Sequence, residues 1–262
     1  MKNLVFAIFV LSFFFLSSCE HKTARNQEGL IIYQENQISW IRNFEPLNPV
    51  SIPRWPTRGG IYESLFLNNP ITTDWIPWLA TNYEWQNNNE KLLFTIRQGV
   101  QWSDGRTFSA HDVAYTFNLM KEFPALDTRN AWGYLKSVVA VSDTLVEVTF
   151  KQIYVPGFEA VAGAPIVPKH IWSELEDPLD FSNPHPVGTG PFTEILRFNS
   201  QIWELGKNHN YWQAGKPHVE KLIFPTFSTN EQTTLALLSG ELDYAGAFIP
   251  AIQRIFVEKD PD

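Results

Sequence analysis

FTIRQGVQWSDGRTFSAHDVAYTF, Phe94 to Phe117, carries three local structures in one run. Phe94 to Ile96 ends an apolar stretch that starts at Leu92 and reads as a strand. Asp104-Gly105 then suits a tight turn, because glycine enters left-handed backbone freely and aspartate bonds nearby backbone. Ser109-Ala110-His111-Asp112 opens a helix: Ser109 accepts from a free N–H of the first turn while Asp112 reaches back, a capping box. Val113, Phe117 and Met120 follow at i, i+4 and i+7, which gives that helix one apolar face.

The pattern continues outward from this segment. Tyr83 to Trp85 and Leu92 to Ile96 flank Asn87-Asn88-Asn89, hairpin chemistry because asparagine tolerates left-handed conformations. Val138 to Val141 and Leu145 to Phe150 form a second hairpin around Ser142-Asp143-Thr144, with Val146, Val148 and Phe150 on one face. Leu30 to Tyr33 reads as a first strand, and Ile61, Leu65 and Phe66 stand at helical spacing after Gly60. Beyond a Pro-rich middle, strand-like runs return at Thr193 to Phe198, Gln201 to Leu205 and Lys221 to Phe224. Thr229-Asn230-Glu231-Gln232 is another capping box, leading a helix with Leu235 and Leu238 that Gly240 can end. Strands mixed with capped helices imply α/β layers of mixed α+β type. No internal repeat is present.

The first residues read as an export signal. Lys2, an apolar core from Leu4 to Leu16 and the small Ser17 and Ser18 have that layout, and a core of 13 residues falls short of a membrane span. Leu16-Ser17-Ser18-Cys19 resembles a bacterial lipobox, so residues 1–18 are expected to be removed and Cys19, the single cysteine, to become a lipidated N-terminus. Residues 19–28 would be a polar tether. The protein would then be exported, to the periplasm or the cell surface, and anchored in a membrane through that lipid. Loss of Lys2 takes the formal charge from −8 to −9, an acidic body without the basic footprint of nucleic-acid binding. Ten Trp, 8 Tyr and 20 Phe imply a large aromatic core or a cleft that stacks on a ligand.

Several segments in order resemble the extracellular solute-binding proteins of ABC importers known as family 5, the peptide and nickel binding group. They are Leu79 to Trp85, Phe94 to Phe117, PVGTGPF at Pro186 to Phe192, NHNYWQAGKP at Asn208 to Pro217 and LLSGELDY at Leu237 to Tyr244. The resemblance implies a periplasmic-binding-protein-like clamp that closes on a solute and docks on permease subunits. It places residues 29–57 and 186–262 in lobe I and residues 58–185 in a subdomain inserted into it. It also implies a longer protein, with lobe I incomplete here and the second lobe missing. Trp102, Ser103, Asp104, Gly105, Gly188, Gly190 and Pro191 read as scaffold, and Tyr211-Trp212 as a packing corner with a ligand platform as its alternative.

Peptide is the default ligand of the family, yet Asp127 to Leu135 and Gly246 to Ile255 resemble a subgroup that binds gluco-oligosaccharides. Indoles stack on the C–H faces of sugars, which makes Trp40 and Trp132 candidate ligand contacts. Phe248 joins them by resemblance, since it follows the Leu242-Asp243-Tyr244 segment near the hinge. The six histidines are scattered without paired ligand spacing, so neither a metal nor a cofactor is expected. A secreted glycoside hydrolase would also be acidic and Trp-rich, but no carboxylate pair stands out, and an enzyme is not the reading adopted. A surface receptor or sensor using the same clamp without a transporter is the third class.

Overall fold

Asn87, Asn88 and Asn89 all take left-handed backbone, with φ of 50°, 50° and 67°, and the chain reverses on them as their composition predicts. The computed structural model describes residues 29–47, 56–246 and 252–258. Cys19, the segments 1–18 and 19–28, and Phe248 lie outside the described residues. Strand β1 (Gly29–Tyr33) comes first, then β2 (Phe66–Asn68) and β3 (Trp75–Pro77), a two-stranded ribbon. Next come β4 (Ala80–Gln86), β5 (Lys91–Ile96), helix α1 (Ala110–Glu122), β6 (Leu135–Ser142) and β7 (Leu145–Phe150). Short helices α2 (Gly157–Ala162) and α3 (Lys169–Trp172) precede β8 (Phe192–Phe198), β9 (Ile202–Lys207), β10 (Lys221–Pro225), α4 (Asn230–Leu238) and β11 (Tyr244–Ala245).

One sheet runs β4-β5-β7-β6, with neighbours antiparallel throughout. Phe94 faces Val146 and Leu92 faces Val148, so the alternating apolar set falls on one side, where α1 covers it with Val113, Phe117 and Met120. Each such side chain contributes about 1.5–3 kcal/mol when fully buried. The second sheet runs β11-β1-β10-β9-β8, with β1 parallel to both of its neighbours. The chain therefore leaves this sheet after β1, builds the other, and returns at β8.

Asp112 does more than close the predicted capping box. Its Oδ2 accepts from the Ser109 amide at 2.9 Å and its Oδ1 from the Lys169 amide at 3.0 Å, so one carboxylate caps α1 and α3 together. Burial pushes this carboxyl up, and those two amides oppose the shift.

Two expectations are corrected. Residues 60–66 do not form a helix. Their carbonyls are taken by distant segments: the Phe192 amide bonds the Gly60 carbonyl at 3.1 Å, Gly190 bonds Ile61 at 2.9 Å, and Ala80 bonds Leu65 at 3.0 Å. Ile61, Tyr62, Glu63 and Leu65 are buried, which a one-faced helix would not allow. Helix α4 forms with Thr229 as its cap, but Gln232 reaches back to Ser228. Its buried residues are Thr233 and Ala236, while Leu235 is 67% exposed.

Three of the resembling segments, Phe94 to Phe117, Pro186 to Phe192 and Asn208 to Pro217, meet at one seam. The Ser103 amide bonds the Gly188 carbonyl at 2.9 Å, the Gly188 amide bonds Ser103 Oγ at 3.3 Å, and the Asn208 amide bonds the Pro191 carbonyl at 2.7 Å. A Cβ on Gly190 would lie 2.1 Å from the Gly60 carbonyl oxygen, and one on Gly188 2.0 Å from that of Ile61. Both obstacles are backbone, so no rotamer relieves them. Gly190→Ala is expected to cost about 3 kcal/mol, read as a lower urea midpoint at unchanged slope. Gly215→Ala, with φ +76° but open space around its Cβ, should cost only about 1 kcal/mol.

Candidate functional site

At the centre of the seam stands Glu63, 1% exposed. Its Oε1 accepts from Trp78 Nε1 at 2.6 Å and from the Tyr211 hydroxyl at 2.9 Å, and its Oε2 accepts from Trp212 Nε1 at 3.0 Å. Burial pushes the carboxyl up to about 7, with the Trp212, Trp78 and Tyr211 donors opposing that rise. Burial and then the neighbouring Glu63 carboxylate hold the Tyr211 phenol above its ordinary range. Trp78 and Trp212 meet edge to face at 5.3 Å, and the Arg97 guanidinium lies 4.6 Å from the Trp212 ring while its Nε donates to the Trp78 carbonyl. The Tyr211-Trp212 pair is thus a packing corner, as its reading favoured, built around a carboxylate that sequence reasoning missed. Glu63 was hidden because its segment read as a helix turn.

The predicted scaffold residues come together around this seam. Trp102 is fully buried, edge-on to Phe108 at 5.7 Å and to His170 at 6.5 Å. Gly105 turns with φ +86°, and Asp104 Oδ2 lies 2.7 Å from His170 Nε2, tying the turn to α3. Asn208 Nδ2 bonds the Gly190 carbonyl at 2.9 Å.

Of the candidate ligand contacts, Trp40 and Trp132 lie among the described residues and stand in different surroundings. Trp40 is 5% exposed and edge-on to Trp203 at 6.1 Å, a position in the apolar core. Trp132 is half-buried on the α1 side: its Nε1 donates to the Phe117 carbonyl at 2.7 Å, and Lys121 Nζ lies 4.7 Å from its ring centre.

A different surface has the shape of a binding site. A hollow of about 570 Å³ opens along β1 and β11, lined by Leu30, Ile32, Tyr33, Gln34, Tyr244 and Gly246. The two strands are parallel, with Ile32 beside Tyr244 and Tyr33 beside Ala245, so their carboxyl ends lie together. Ligands of open parallel sheets sit beyond such ends. Asp243 holds the pair in register, accepting from the Ile31 amide at 2.7 Å and donating its own amide to the Ile31 carbonyl at 2.9 Å. Tyr244 is 60% exposed, and Gln34 Oε1 is buried without a hydrogen-bond partner. An apolar hollow with an exposed aromatic ring fits a solute with apolar faces. Alternation in Leu30, Ile32 and Gln34 was the available signal for one wall; the other wall comes from the far end of the sequence. Among the described residues, no group of three or more His, Cys, Asp or Glu is placed to hold a metal ion.

Comparison with known proteins shows what the chain is similar to. Protein XP55 of Streptomyces lividans is 32% identical over 177 residues, 66% of this chain and 31% of that protein. The nickel-binding periplasmic protein of Escherichia coli is 26% identical over 224 residues, 80% of this chain and 40% of the relative. The solved structure of a mannohexaose-bound oligopeptide ABC transporter, periplasmic oligopeptide-binding protein from Thermotoga maritima, superimposes with a TM-score of 0.80 at 28% identity. That superposition covers 91% of this chain and 44% of the other. The chain thus spans less than half the length of each of these three. The family model described as bacterial extracellular solute-binding proteins, family 5 Middle, matches residues 74–262, the greater part of the sequence. With that match and a mixed α/β fold shared with periplasmic binding proteins, the chain belongs to the bacterial extracellular solute-binding proteins of family 5.

Proposed function

We propose that this chain supplies the solute-capturing lobe of an ABC importer's binding protein, and that its ligand is an oligosaccharide. The observation that carries the reading is the hollow at the carboxyl ends of β1 and β11, with Tyr244 exposed for stacking and Gln34 Oε1 unpaired for a hydroxyl. The likeness to a mannohexaose-bound structure supports the ligand class. An oligopeptide is the second reading, supported by relatives such as the oligopeptide-binding protein AppA of Bacillus subtilis, 28% identical over 174 residues. In the proposed mechanism, contacts to both lobes favour the closed clamp, and differential affinity drives closure before delivery to permease subunits. Residues 29–57 and 186–262 would form lobe I with 58–185 inserted, a division supported by the return of the chain to the β1 sheet at β8.

A thermal-shift titration with mannohexaose and a mixed peptide pool, on this chain and a full-length relative, tests the ligand. At a hundredfold excess over Kd the expected gain is about 2.7 kcal/mol, or roughly 5–10 °C in Tm. The sugar should shift the chain, and Tyr244→Ala should abolish the shift. A shift by peptides alone would replace the first reading by the second.

The same proposal holds that Cys19 is acylated and retains the exported protein at a membrane, each buried CH₂ of its lipid contributing about 0.8 kcal/mol. Metabolic labelling with a fatty acid should mark the wild type, and Cys19→Ser should lose both the label and the membrane fraction. Label retained by Cys19→Ser would contradict the anchor.

A further inference from the structure

Glu63 is buried with both oxygens occupied, and its donors come from two distant segments: Trp78 on one side, Tyr211 and Trp212 on the other. Among the described residues, no Lys, Arg or His forms an ion pair with it. The Arg97 guanidinium packs on the Trp212 ring and bonds the Trp78 carbonyl. The Tyr211 hydroxyl and the two indoles supply hydrogen bonds, and the Thr189 hydroxyl is a further polar neighbour, but none of them carries a full positive charge. A carboxylate in that position has lost its water without gaining a counter-ion, and only separation of the two segments returns it to solvent.

We propose that Glu63 makes this seam proton-sensitive: ionisation of its carboxyl favours opening of the contact between residues 60–65 and residues 188–212, and proton uptake holds it shut. The seam is where the two sheets are joined, so the sensitivity concerns how firmly the body around β5 and β7 is held to the body that carries the hollow.

The direction follows from linkage. Burial raises the carboxyl from the ordinary 4.5 to about 7, so the closed seam binds a proton that the opened seam releases between those values. Its stabilising effect is fully present below about 4.5 and is lost as pH rises through about 7. The corresponding upper limit on the opening constant is roughly a 300-fold increase across that window.

Amide hydrogen exchange on the full chain at about pH 5.5 and about pH 8, corrected for intrinsic rates, reads this opening locally. The Gly190 and Phe192 amides report the seam, since they bond the Ile61 and Gly60 carbonyls, and the ladder amides of β5 and β7 serve as controls. Protection at Gly190 and Phe192 is expected to fall about tenfold or more at the higher pH, beyond any change in the controls. Glu63→Gln, which cannot ionise, should flatten that dependence. Should Glu63→Gln fail to fold, Tyr211→Phe removes one donor to the charged form and should move the transition to higher pH. Seam and control amides changing in parallel in the wild type, or a Tyr211→Phe transition unmoved or lowered, would overturn the proposal.

Discussion

A carboxyl group withdrawn from water costs several kcal/mol unless donors replace its hydration, and Glu63 is supplied by an indole 15 residues away and by a phenol and an indole 148 and 149 residues away. Much of the architecture is arranged to keep those donors in place. The turn at residues 60–65 offers its carbonyls to Gly190, Phe192 and Ala80 instead of to its own fourth neighbours, so it cannot be helical. Gly188 and Gly190 lack side chains because the turn's backbone occupies that space. The Asn208 amide and side chain then fasten the segment that carries Tyr211 and Trp212 to Pro191 and Gly190. Motifs that are dispersed in the sequence are thereby one structural unit.

This unit leaves the hollow free to be shaped by other residues. Asp243 and the Gly246 amide, which bonds the Tyr33 carbonyl, set β11 in parallel register, and Leu30 and Tyr244 are exposed beside that strand pair. A fold held together by one joint can carry different ligand surfaces, since function lives in sites grafted on the scaffold.

Local chemistry made a good part of the fold legible. The Ser109 and Asp112 cap, the three left-handed asparagines and the alternation in β5 and β7 each act within a few residues, and each stands where it was expected. What failed was decided by tertiary partners. Ile61, Leu65 and Phe66 have helical spacing, yet they are buried all round by segments far along the chain. The helix expected to contain Leu235 and Leu238 forms, but it packs through Thr233 and Ala236. For the site, aromatic content pointed to Trp40 and Trp132, one of which is core and the other half-buried on α1. The hollow escaped notice because its two walls lie 212 residues apart at the Ile31–Asp243 contact.

Solute is proposed to meet this chain at the carboxyl ends of β1 and β11. Nuclear magnetic resonance of the isotope-labelled chain, titrated with mannohexaose, tests it residue by residue. The predicted result is saturable shifts of the Gln34 side-chain amide and the Tyr244 and Gly246 backbone amides, with the Trp132 indole unmoved. Shifts centred on Trp132, or a titration that leaves Gln34, Tyr244 and Gly246 unchanged, would contradict it.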